Sequence, residues 1–111
     1  MIHVIRERAT PQQLQEMLEA LQTYVKLAVD VRRRVVAGGG EMHADCEAAL
    51  LEGGSQQADI WGADWIPESQ EVRFESLINI RPKLGNRSMT IADPLLRSTI
   101  EEIVRERLGG S

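Results

Sequence analysis

The spacing of apolar positions changes several times along the chain, and each change marks an element. Ile2-His3-Val4-Ile5 alternates and predicts a short, partly covered strand. Leu14, Met17, Leu18 and Leu21 then recur at i, i+3, i+4 and i+7, the stripe of an amphipathic helix running to about Gln22. Its start is marked by Thr10 as N-cap, Pro11 at the first helical position and Gln13 completing a capping box. From Tyr24 to Val31 the period returns to two. Val25, Leu27, Val29 and Val31 share one face, and Tyr24, Lys26, Ala28 and Asp30 the other. Arg32-Arg33-Arg34 interrupts this strand as a tight hairpin before the apolar run Val35-Val36-Ala37. Gly38-Gly39-Gly40 reads as a break, either a turn or a close backbone approach. It lacks the Lys-Ser/Thr pair of a phosphate-binding loop.

Residues 41–52 fit two periods. As a helix, Met42, Cys46, Ala49 and Leu50 form the apolar stripe, and the alanines favour this state. As a strand, Met42, Ala44, Cys46, Ala48 and Leu50 face inward, leaving His43, Asp45 and Glu47 together outside. The following Gly53-Gly54-Ser55 and the strand-like Asp59–Ile66 tip the expectation towards a strand in a hairpin. After a turn at 67–70, residues 72–80 alternate strictly, with Val72, Phe74, Ser76, Ile78 and Ile80 on one face. They predict the central strand, ended by Pro82 and followed by a turn at Gly85-Asn86. Asp93-Pro94 opens a last helix striped by Leu96, Ile100, Ile103, Val104 and Leu108, and Gly109 stops it. The order β-α-β-β-β-β-β-α predicts an α+β fold: one domain over 1–111, an antiparallel meander packed by two amphipathic helices.

Composition changes this picture little. The chain has 111 residues, long enough to bury a core without disulfides. Aromatics are only 4%, so aliphatic side chains must build that core, with Trp61 and Trp65 filling it or an oligomer contact. A net charge of −4 disfavours loose binding to nucleic acid or anionic membranes, leaving the 32–34 arginines as the one basic run. Cys46 is alone, so a reducing compartment is expected, and it reads as a core thiol rather than a nucleophile. No apolar run approaches the roughly 20 residues of a bilayer span. No signal peptide is expected at the N-terminus, and the cytoplasm is the expected location.

Two polar constellations remain. Asn79, Arg81, Asn86 and Arg87 gather around the Pro-Gly turn and suit an anion site, since arginine forks match carboxylate or phosphate. The plainer reading is that the arginines pair with Glu75, Glu47 or Asp45 and fix the turn to the sheet. His43, Asp45 and Glu47 would be neighbours on a strand, where they are weak candidates for a divalent metal. On a helix only His43 and Glu47 stay together. Joined, the two sets describe a small hydrolase or ribonuclease, with His43 as general acid/base, Glu47 or Asp45 orienting it, and Arg81 or Arg87 stabilising negative charge.

The runs Gly-Gly-Gly-Glu-Met-His-Ala-Asp-Cys-Glu at 38–47, Asp-Ile-Trp-Gly-Ala at 59–63, Ser-Leu-Ile-Asn-Ile-Arg-Pro at 76–82, and Asn86-Arg87-Ser88 carry a resemblance. Over nearly the full length the chain resembles a family of small prokaryotic proteins catalogued as a domain of unknown function. That resemblance implies no activity, cofactor or catalytic residue. The expectation is therefore a binding or interaction module with an anion-recognising site around 76–88, engaging a small anionic ligand or a protein partner. No cofactor and no membrane contact are expected, and self-association into a homo-oligomer is. The hydrolase is the alternative.

Overall fold

Valine-rich alternation places β2 (Val25–Asp30) at the middle of a five-stranded antiparallel sheet, in the order β1-β3-β2-β4-β5. The computed structural model describes residues 1–110. The other strands are β1 (His3–Ile5), β3 (Val35–Gly40), β4 (Ile60–Ile66) and β5 (Glu71–Arg73). β2 pairs with β3 across the arginine hairpin and with β4 from Val25 opposite Trp65 to Asp30 opposite Ile60. The expected α+β class and antiparallel sheet are present.

Three helices cover the sheet: α1 (Pro11–Met17), α2 (His43–Glu52) and α3 (Pro94–Leu108). The period-two pattern sorts the core into two layers. Val25, Leu27, Val29, Val36, Trp61, Ala63 and Trp65 face α1 and α3, meeting Met17, Ile100, Ile103, Val104 and Leu108. On the opposite face Ala28, Val35, Ala37 and Ile60 meet Cys46 and Leu50 of α2. Both tryptophans and Cys46 are thus core residues.

Three expectations are corrected. Residues 43–52 are helix, not strand. Ala44, Ala48 and Ala49 lose no rotamer freedom in a helix, and the small Ala28 and Ala37 beneath leave room for it. The glycines 38–40 are not a break but the end of β3, where a Cβ on Gly38 would come within 2.7 Å of Leu27 Cδ2. The 72–80 strand stops at Arg73. Beyond it the chain pairs with itself, Glu75 against Thr90, and then makes short 3-10 turns at Leu77–Asn79 and Pro82–Leu84. The first helix is also shorter than its stripe suggests. It closes at Met17 and loosens into a turn before Gln22, whose φ of 72° breaks it.

Asp30 anchors the arginine hairpin. Its carboxylate has no exposed surface; Oδ1 accepts the Arg32 and Arg33 N–H groups at 3.0 and 2.9 Å, and Oδ2 accepts the Ser55 hydroxyl at 2.6 Å. Asp30→Ala removes the acceptor of three donors at once, one of them the buried Ser55 hydroxyl, so urea denaturation should show a loss of about 1–3 kcal/mol. Ser55→Ala, which removes one neutral donor, should cost nearer ~1 kcal/mol.

Candidate functional site

The site region is built on a pairing of one side chain with a strand. β5 covers β4 only at Asp64, Trp65 and Ile66. At Gly62 the partner is the Asn79 side chain: Oδ1 accepts the Gly62 N–H at 2.7 Å, and Nδ2 donates to the Gly62 carbonyl at 3.0 Å. This is the two-bond exchange of an antiparallel backbone pair, made by a carboxamide. Nδ2 also reaches the carbonyls of Phe74 and Met89, so one amide ties the strand to both arms of the loop that leaves it. Gly62 is required by the close approach, because a Cβ there would stand 2.5 Å from Ser76 Cβ.

Asn86 repeats the device one turn on. Its Nδ2 donates to the carbonyls of Asn79, Ser88 and Thr90, and its Oδ1 accepts the Ala92 N–H at 3.0 Å. Arg81 and Asn86 exchange backbone hydrogen bonds of 2.7 and 3.1 Å, closing a tight loop whose left-handed corner is Gly85 at φ 82°. Asn79 and Asn86 are buried. Asn79, Arg81 and Asn86 lie together, and the two amides are spent on backbone groups rather than turned outward.

Arg81 is also engaged. Nε donates to the Ile78 carbonyl, one terminal nitrogen to the Gln57 carbonyl and the other to Glu47 Oε2 at 2.8 Å. The guanidinium carbon lies 5.2 Å from the Trp61 ring centre. Burial pulls the Arg81 pKa below its ordinary value, while the Glu47 carboxylate pushes it back up. Glu47 and Arg81 side chains are each only 12% exposed, so the pair is a largely desolvated strut between α2 and the loop. Arg87, by contrast, is exposed and has no hydrogen-bonded or ionic partner among the described residues.

His43 sits one helical turn before Glu47 on α2. Its Nε2 lies 2.8 Å from Asp64 Oδ1 and 3.1 Å from the Ala63 carbonyl on β4. Asp64 was missing from the sequence reading, since alternation alone says nothing about which helix lies over a strand. Asp45 is exposed in the first turn of α2, where it favours the helix dipole. The helix therefore separates Asp45 from His43 and Glu47. Among the described residues no three His, Cys, Asp or Glu side chains form a metal-holding group. His43 and Arg81 lie on the same face of the sheet, yet each is held by its own carboxylate, with no bond linking the pairs.

What these struts leave open is apolar. A groove of about 660 Å³ is lined by Leu77, Ile80, Pro82 and Leu84, with Arg81 and Glu47 among its walls. A second of about 250 Å³ is lined by Met42, His43, Met89 and Glu75. Leu77 and Ile78 belong to both, so the two adjoin at these residues. Among the described residues nine large apolar side chains are exposed, and five of them, Met42, Leu77, Ile80, Leu84 and Met89, belong to this one face.

Fold and face together describe a small α+β protein with a rigidly braced apolar surface. Residues 3–107 match the family described as Protein of unknown function (DUF5674), and the chain belongs to that family. No curated protein and no solved structure matches it.

The amide pairing has a direct consequence for stability. Asn79→Ala leaves the Gly62 N–H and several carbonyls unpaired and should lower the unfolding free energy by about 1–3 kcal/mol. Asn79→Asp, which keeps the acceptor but loses the donor, should be no milder. Arg87→Ala, at an exposed and unpartnered position, should stay within about 0.5 kcal/mol. Urea melts of the three variants make the comparison.

Proposed function

We propose that this protein is a binding module that engages another protein through the face between α2 and residues 77–89. The observation that carries the reading is the concentration of exposed apolar side chains there: Leu77 is 67% exposed and Met42 57%. Contiguous apolar surface of this kind marks interaction sites. The polar groups beneath it support a recognition role. Asn79, Asn86 and the Arg81–Glu47 pair hold the 77–89 segment in one shape, which lowers the ordering cost of binding. Methionines at the edge add a surface that adapts to its partner.

The site around 76–88 is thus read as a contact surface in which Arg81 and the two asparagines position, and Leu77, Ile80 and Leu84 touch. The anionic component falls to Lys83 and Arg87, the cations on the loop left without a partner. A hydrolase built on His43 and Arg81 fits less well, since their carboxylates already occupy them separately. A reducing, cytoplasmic setting suits the single thiol, Cys46, whose burial raises its pKa.

The test is a photo-crosslinking residue placed at Leu84 in cells that carry the protein, with the same residue at exposed Glu68 as control. A discrete adduct from position 84 alone is expected. The captured partner, once purified, should bind the unaltered protein at least about tenfold more tightly than the Leu77→Ser variant. Equal labelling from both positions, or an affinity indifferent to Leu77, rules this surface out.

A further inference from the structure

The two grooves differ in charge, and that difference says what kind of partner they take. The larger one is bounded by Pro82, Lys83 and Leu84 on the loop closed by Arg81 and Asn86. Its carboxylate, Glu47, is neutralised by Arg81 at 2.8 Å. Lys83 and Arg87 on the same loop are exposed and, among the described residues, make no hydrogen bond or ion pair. At the other end Lys26 donates to the Glu41 carbonyl at 3.0 Å, Glu75 lines the smaller groove, and Glu41 and exposed Asp45 belong to the adjoining turn and helix. The face is therefore uneven in charge: Lys83 stands without a carboxylate partner at one end, while at the Met42 end the carboxylates Glu41, Asp45 and Glu75 outnumber the one cation, Lys26. In a chain of net charge −4, an unpaired Lys83 in the wall of this apolar groove, with Arg87 shortly after it in sequence, is not background.

We infer that the occupant is a short segment of another protein, carrying two bulky apolar residues and an acidic residue. This rests on the module reading above. The apolar residues seat on either side of Leu77, one in each groove, which gives two anchors in place of one. The carboxylate lies beyond the anchor at the Lys83 end and meets Lys83 and Arg87. Because Gly85 and the Arg81–Asn86 bonds already shape that loop, Lys83 is displayed within a closed turn and Arg87 directly after it. Charge complementarity of this sort governs orientation and partner choice more than raw affinity. It sets the direction in which the segment lies.

The experiment is selection of a random linear peptide library on the purified protein, followed by affinity measurement with the enriched peptide. Enrichment of two bulky apolar residues followed or preceded by Asp or Glu is expected. Binding should weaken about tenfold in Leu77→Ser, several-fold in the Lys83→Glu/Arg87→Glu double variant, and with added salt. The replaced side chains are all exposed, so unchanged melting temperatures should accompany those losses. If the enriched peptides are uncharged or basic, and the charge-reversed protein binds them as well as the original, the acidic partner is refuted while the module reading stands. If no peptide binds, or binding ignores Leu77, both fail. If light scattering shows a dimer that Leu77→Ser dissolves, the occupant is a second copy, and the inference of a foreign segment is overturned.

Discussion

The arrangement of this protein depends on one carboxamide. Where β5 ends, Asn79 continues the ladder on β4 with its side chain, offering Gly62 the donor and acceptor that a strand would have offered. A peptide group and a side-chain amide are chemically alike, so the substitution loses little hydrogen bonding. It gains a change of direction. A strand in that place would have carried Leu77, Ile78 and Ile80 along the sheet in strict alternation. With the amide in its place, the backbone turns away as a 3-10 turn and leaves Leu77 and Ile80 on the surface.

The second helix completes the arrangement. His43 and Glu47 lie one turn apart on α2 and each spans to a partner, Asp64 on β4 and Arg81 on the loop. The side chains of both pairs are mostly removed from water, and removing one partner of the Glu47–Arg81 pair would leave a buried charge uncompensated. Their position explains why the apolar face is stiff. The loop is hydrogen-bonded to the sheet through Asn79, tied back on itself by Asn86 and braced to a helix through Arg81.

Much of the fold could be read from residue order. The Thr10-Pro11 and Asp93-Pro94 starts, the arginine hairpin and the alternation of β2 and β4 are local rules, and each holds. Two of the corrections have a common origin. Residues 43–52 carry both periods, and only the small Ala28 and Ala37 on the sheet below, distant in sequence, make room for a helix. Residues 72–80 alternate through Ser76, whose side chain is buried as expected; what ends the strand is the reach of Asn79 to a glycine seventeen positions earlier. Period-two reasoning has no term for a side chain that imitates backbone. The candidate site was legible in membership but not in role. Asn79, Arg81 and Asn86 do gather, yet they face inward, and the surface they support is made by neighbours that looked like core.

The same carboxamide bears on what the chain does when it is not alone. β4 is the longest strand, and Ile60-Trp61-Gly62-Ala63 is an apolar run whose outer side β5 never reaches. An open edge of that composition is a template on which a second chain could add, strand upon strand, towards aggregate. By occupying Gly62 and drawing the 74–91 segment across it, Asn79 denies a foreign strand its first two bonds. The residue that shapes the exposed apolar face is in this sense also a guard, and crowding inside a cell is the condition under which that matters most.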